Sequence, residues 1–122
     1  MFEDAGWKVV DRDFYSPTLT AAIREGLLEG NREADYFLFV NGMAVGILEL
    51  KRKEVDVTSD MVCEQADLYA RGVPECYKAY SRPLPIIYQS NGEETIFRDF
   101  RDEDGELIEL NRIHTPKEIV KM

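Results

Sequence analysis

In the stretch ADYFLFVNGMAVGILELK, from Ala34 to Lys51, three charged side chains interrupt an otherwise apolar, turn-forming run: Asp35, Glu49 and Lys51. A buried carboxylate or ammonium costs several kcal/mol unless it is paired or bound to a metal. Charges set among such neighbours point to chemistry. Two carboxylates that converge, with a backbone carbonyl and waters, make an oxygen-ligand octahedral site of the kind Mg²⁺ prefers. The carbonyl of Leu50, between Glu49 and Lys51, is the natural additional ligand. Such an ion lowers the pKa of a bound water and offsets phosphate charge. An ammonium at Lys51 can position that water or stabilise the extra negative charge as a phosphodiester is attacked. Further along, Gln65 and Tyr69 are four apart and share a helix face. Their amide and phenol are suited to bind a phosphate or to orient Lys51. Taken singly, each has a plainer reading: a salt-bridged strand end, a strand-start aspartate, a solvated glutamine, a core tyrosine. The combination, in this order and on these elements, carries the functional reading.

Convergence makes a geometric demand on the elements. Two apolar runs flank Asn41-Gly42, a strong hairpin signal, and both are apolar on both faces, as for central strands covered from two sides. Glu49 and Lys51 are two apart and share a face. A plain two-residue loop pairs Asp35 with Leu48 and turns Glu49 away. A three-residue loop, or a bulge near Gly42, instead places Asp35 beside or diagonal to Glu49.

The remaining elements read as follows. The opening MFEDAG resembles the last turn of a helix closed by Gly6, and Trp7 to Val10 a short strand. SPTLTAAIREGLLEG predicts a helix with Ser16 as N-cap, Pro17 in the first turn, Gly30 at the end, and Leu19, Ile23, Leu27 and Leu28 inside. SDMVCEQADLYARG predicts another, capped by Ser59 or Asp60, with Met61, Val62, Leu68 and Tyr69 inward. A strand, a second Asn-Gly turn at Asn91-Gly92, another strand, a short edge strand in ELIEL and a final helix capped by Thr115 complete the order. The strand–helix–strand passage from Ile47–Lys51 to Ile86–Gln89 should be a parallel, right-handed crossover. The fold class expected is α/β, a mixed sheet with a central hairpin flanked by helices.

Chain-wide properties set the bounds. With 122 residues and 44% hydrophobic content, one domain with a real core is expected. No apolar run approaches the ~20 residues that cross a bilayer, and no secretory leader is visible. Cys63 and Cys76 lack metal-type spacing and read as free thiols. His114, the sole histidine, is too little for a histidine-based metal site or triad and reads as a surface residue before a helix. The formal net charge of −9 opposes unaided binding of nucleic acid.

The segments READYFLFVNGMAVGILELKRK, EQADLYA and IIYQSNGEETIFRDF together resemble the amino-terminal nuclease domain of the type I restriction endonuclease R (motor) subunit, within the PD-(D/E)XK nuclease superfamily. The resemblance runs from about Gly6-Trp7 to Thr115-Pro116. It implies a restriction-endonuclease-like fold and Mg²⁺-dependent DNA cleavage. It assigns catalysis to Asp35, Glu49 and Lys51, the ion to Asp35, Glu49 and the Leu50 carbonyl, and a supporting or DNA-binding role to Gln65 and Tyr69. The implied partners are double-stranded DNA, translocase domains of the same subunit (through which alone ATP would enter), and the specificity and methylation subunits, in a prokaryotic cytoplasm. There are departures. The family's first-helix acidic residue has only Glu3 as a weak match, with Glu25 and Glu29 on the next helix unassigned, and Ala34 replaces the superfamily's proline. No Gly-rich phosphate loop is present. The expectation is a single domain, 1–122, cut at its first helix and excised from a longer chain. The alternatives are a catalytically inactive docking module and a stand-alone repair or defence nuclease. DNA held by other domains would reconcile cleavage with the acidic charge, with Lys51 to Lys53 as one local basic contact.

Overall fold

Asn41 and Gly42 both adopt left-handed backbone, with φ of 52° and 76°, as a two-residue hairpin turn of the type I′ kind requires. The turn joins β3 (Arg32–Val40) to β4 (Met43–Leu50) at the middle of a mixed sheet in the computed structural model, which describes residues 2–102 and 106–121. The other strands are β1 (Val9–Val10), β2 (Ala21–Leu28), β5 (Ile86–Ser90), β6 (Thr95–Asp99) and β7 (Ile108–Leu110), and they lie side by side in chain order. The β1–β2 and β4–β5 pairs are parallel and the other four antiparallel. Two helices complete the described residues, α1 (Asp60–Arg71) and α2 (Pro116–Lys121). This is the expected α/β, restriction-endonuclease-like sheet with its central hairpin.

The predicted helix over SPTLTAAIREGLLEG is corrected: most of it is strand β2. Ala21, Ala22 and Ile23 are buried in succession, with Ala22 in the core on one side of the sheet and Ile23 in the core on the other. Only an extended segment between two layers can bury consecutive residues in opposite directions. Pairing with β1 and β3 overrides the local helix signals. Pro17 instead lies under the hairpin turn, where the Gly42 amide donates to Leu19 O at 2.6 Å and a side chain at Gly42 would strike the Pro17 carbonyl, while the Ser16 carbonyl accepts from the Leu19 amide. The Leu27 side chain, one of the expected inward positions, lies outside the described atoms.

Helix α1 starts as expected: the Ser59 hydroxyl accepts from the Val62 amide. Its inner stripe, however, is Val62, Ala66 and Ala70, at i, i+4 and i+8, while Met61 (80% exposed) and Leu68 (46%) face outward. The alanines let the helix axis come close to the sheet, so the larger apolar residues turn to solvent. Asn91-Gly92 opens a four-residue loop rather than a two-residue turn, because Ser90 pairs with Thr95 and the Asn91 side chain accepts from the Glu93 and Glu94 amides. His114 is half-buried rather than a surface residue. Its Nδ1 lies 2.7 Å from the Tyr88 hydroxyl, and its carbonyl accepts from Trp7 Nε1 at 2.8 Å. Desolvation holds its pKa below the ordinary histidine value. The cysteines are free thiols, and Thr115 and Glu118 cap α2 reciprocally.

The parallel β4–β5 junction carries the site strand and has little tolerance. At Gly46 an added β-carbon would lie 2.5 Å from the Ile86 carbonyl oxygen. Gly46→Ala is therefore expected to cost about 1–3 kcal/mol, read as a lower urea midpoint at unchanged m-value. A midpoint equal to wild type would show that the two strands separate freely.

Candidate active site

A register shift in the hairpin decides which side chains meet. Near the turn, Val40 pairs with Met43 and Phe39 with Ala44; beyond it, Leu38 pairs with Gly46, Phe37 with Ile47 and Tyr36 with Leu48. Val45 is thus the extra residue of a bulge on β4, three positions past Gly42. The shifted register sets Asp35 opposite Glu49. Alternation puts Asp35 on the side of Phe37 and Phe39, and Glu49 and Lys51 on the side of Ile47. That is the core face covered by α1, which contributes Ala66, Ala70 and Tyr69. Without the bulge Asp35 would have faced Leu48.

The Asp35 carboxylate accepts from the Leu50 amide at 2.7 Å, replacing a ladder bond where the β3–β4 pairing ends. In an extended strand a residue's amide and carbonyl point to the same side, so the Leu50 carbonyl also lies on the Asp35 side of β4. Glu49 is 4% exposed, and its Oε1 is buried with no hydrogen-bond partner among the described residues. Burial first, and the neighbouring Asp35 carboxylate second, push the Glu49 pKa from 4.5 up to about 8, with Lys51 pulling weakly the other way. Metal-free Glu49 therefore favours its protonated form at neutral pH. Lys51 continues the β4–β5 ladder through its amide to Ser90 O at 2.7 Å. Its Nζ donates to Gln65 Oε1, and Gln65 Nε2 in turn donates to the Tyr69 hydroxyl at 3.4 Å. The structure thus brings all five singled-out side chains to one end of β3 and β4 under α1.

A hard divalent cation suits this donor set. Two carboxylates and a carbonyl offer only oxygen, and the orphaned Glu49 oxygen lacks the partner an ion would be. The described residues contain no group of three or more His, Cys, Asp and Glu able to hold a metal, so waters or substrate oxygens would complete the shell. Glu25, on β2 rather than on a helix, falls opposite Asp35 in register, and its φ of 50° interrupts the ladder there. Glu29 lies in a 3₁₀ turn beyond β2. Glu3 lies in the turn Glu3–Ala5, whose neighbours Phe2 and Ala5 pack on the other face of the sheet. Lys53 pairs with Glu93 at 3.2 Å, and Arg52 is exposed.

Sequence reasoning missed two residues beside the site. Gln89 pairs in register with Glu49 and is fully buried; Arg98, on β6, is nearly so. The signal was a glutamine and an arginine inside otherwise apolar strands.

The Glu49 shift has a thermodynamic consequence. Its folded pKa exceeds the unfolded value, so the folded metal-free protein binds the extra proton between about pH 4.5 and 8 and loses stability as pH rises through that window. Asp35→Asn removes one cause of the shift and keeps an acceptor for Leu50. It is expected to flatten this decline and to stabilise the metal-free protein at pH 8 by about 1 kcal/mol, on the order of 4 °C in Tm. Melting curves across pH check it; an unchanged slope would show that Asp35 exerts no repulsion on Glu49.

Comparison with known proteins agrees with this architecture. A fragment assigned to the HsdR subunit of a type I restriction enzyme from Vibrio vulnificus YJ016 superposes with a TM-score of 0.65 at 24% identity, over 98% of this chain and 22% of that one. This chain therefore spans about a fifth of the length of that fragment. No curated protein matches in sequence. The family model of the second domain of the type I restriction enzyme EcoKI endonuclease subunit matches residues 17–122. That match covers most of the chain, which belongs to this family of type I restriction endonuclease subunit domains.

Proposed function

We propose that this domain hydrolyses DNA phosphodiester bonds with a divalent cation, Mg²⁺ by preference, held by Asp35, Glu49 and the Leu50 carbonyl. The observation that carries the reading is the Val45 bulge, which sets two carboxylates opposite each other, with a buried Glu49 oxygen that no donor among the described residues reaches. When bound, the cation supplies Lewis acidity to the scissile phosphate and to a water. Glu49 would hold the ion as a carboxylate, and Asp35 keeps the Leu50 backbone in place. Lys51, its ammonium aimed by Gln65 and Tyr69, orients the attacking water or stabilises the charge added to the phosphate. On this reading the five residues serve as a PD-(D/E)XK nuclease core.

The same reading places the domain in a longer R subunit of the prokaryotic cytoplasm. Double-stranded DNA is its substrate, translocase domains use the ATP, and specificity and methylation subunits choose the site. The net charge of −9 supports this division, because a strongly acidic module gains little from phosphate contacts of its own. The isolated domain is expected to cleave weakly or not at all.

Calorimetry with Mn²⁺ or Mg²⁺ tests the ion site. Binding should tighten as pH rises towards 8 and release a proton, and Asp35→Ala should abolish it; equal affinity in both proteins would overturn the assignment. Lys51→Ala should leave ion affinity within about threefold yet remove cleavage by the complete enzyme by at least about 10²-fold, the usual scale for losing one transition-state contact. Retained cleavage would remove Lys51 from the mechanism. Absence of ion binding in the wild-type domain would favour a non-catalytic docking module.

A further inference from the structure

Helix α1 turns Val62, Ala66 and Ala70 toward the sheet. Two polar grips hold its flanks. On one, Gln65 meets Lys51. On the other, Arg98 donates from Nε to Gln89 Oε1 at 2.8 Å and from a terminal nitrogen to Cys63 O at 3.3 Å, and forms an ion pair with Asp67 at 2.7 Å. Gln89, the register neighbour of Glu49, spends its amide on Val57 O at 2.6 Å and the Cys63 sulfur at 3.5 Å. One buried guanidinium thus joins β5 and β6 to the helix, while Gln89 also anchors the segment leading into it. Gln65 and Asp67 are two residues apart, about 200° around the helix, so a grip on Asp67 sets where Gln65 points.

We infer that Arg98, with Gln89 and Asp67, is a positioning residue that sets the roll of α1 and so presents Gln65 to the Lys51 ammonium. The chemistry requires arginine. Its planar fork reaches Gln89, Cys63 and Asp67 at once, whereas a lysine presents one point charge. The effect travels through a hydrogen bond to Gln89, another to the Cys63 carbonyl and an ion pair with Asp67, none of them a residue that the proposed mechanism places in catalysis. The inference rests on the reading of Lys51 as part of the hydrolytic site only for its consequence in cleavage; the positional claim stands apart from it.

The test follows the Lys51 side-chain ammonium by ¹⁵N–¹H NMR, assigned through Lys51→Arg, in the wild-type domain and in Arg98→Lys. Gln65→Ala serves as the control that removes the contact directly. The expected result is that Arg98→Lys moves and broadens the Lys51 signal toward that of Gln65→Ala, leaves Mn²⁺ affinity within about threefold, and lowers cleavage by the complete enzyme at least tenfold. A Lys51 signal unmoved by Arg98→Lys but moved by Gln65→Ala would overturn the proposal, whatever happens to melting temperature. Should Arg98→Lys fail to fold, Asp67→Asn decides on the same readout, because it keeps the arginine and its bonds to Gln89 and Cys63. A moved Lys51 signal with unchanged cleavage would uphold the positioning and count against the role of Lys51 in hydrolysis.

Discussion

The juxtaposition of Asp35 and Glu49 is the constraint around which the sheet is arranged. Two carboxylates in neighbouring central strands, one of them buried, oppose folding both by desolvation and by mutual repulsion. The sheet tolerates them because it is stabilised elsewhere. Tyr88, Phe37, Phe39, Ile47, Leu48 and Ile87 are fully buried on its two faces, and burying each such side chain contributes about 1.5–3 kcal/mol. A single extra residue, Val45, makes the difference between the observed pairing and one in which the acids point apart. A β-bulge re-aims side chains in this way without altering strand order.

Position along the strands matters as much as pairing. The acids sit where the β3–β4 ladder runs out, so the Asp35 carboxylate, rather than a β3 carbonyl, accepts from the Leu50 amide. Beyond that point β4 pairs only with β5, through the Lys51 amide and Ser90. The strand end is therefore held on one side by β5, with Asp35 half-buried and Glu49 enclosed beside it. Asn91 and Gln89 tie the segment after Lys51 to the β5 end by accepting no freedom in Val55 and Val57, whose carbonyls their amides engage. Rigid backbone on both sides of Lys51 restricts where its ammonium can lie.

Much of this was legible in the sequence, for local reasons. The Asn41-Gly42 turn, the Ser59 cap and the Thr115 cap are short-range devices whose residues carry their own geometry. The charged residues of the site stood out against apolar neighbours. The failures share one cause, tertiary context. Residues 21–28 have acceptable helix spacing, and only their place between β1 and β3 makes them a strand. Met61 and Leu68 are outward because two alanines bring α1 close to the sheet. Whether Asp35 meets Glu49 depended on one residue of register, a quantity that hydrophobic pattern leaves open when both faces of both strands are apolar. Gln89 and Arg98 stood out as polar residues in apolar strands, but a single polar residue in a strand says nothing about its partner across the sheet.

The acids also separate stability from activity in a defined sense. Without an ion, Glu49 is kept protonated by its surroundings, and the strain of the pair is relieved by that proton. A cation seated between the carboxylates would replace the proton, convert repulsion into attraction, and shift the Glu49 pKa down, so ion binding and proton release are one linked equilibrium. It follows that the arrangement best suited to hold an ion is among the least stable without one. The Gln65–Lys51 contact keeps an ammonium beside the pair, which relieves that strain only weakly. An acidic pair whose burial and mutual repulsion oppose ionisation, with an ammonium held nearby, differs physically from a structural salt bridge, in which opposite charges offset each other's desolvation.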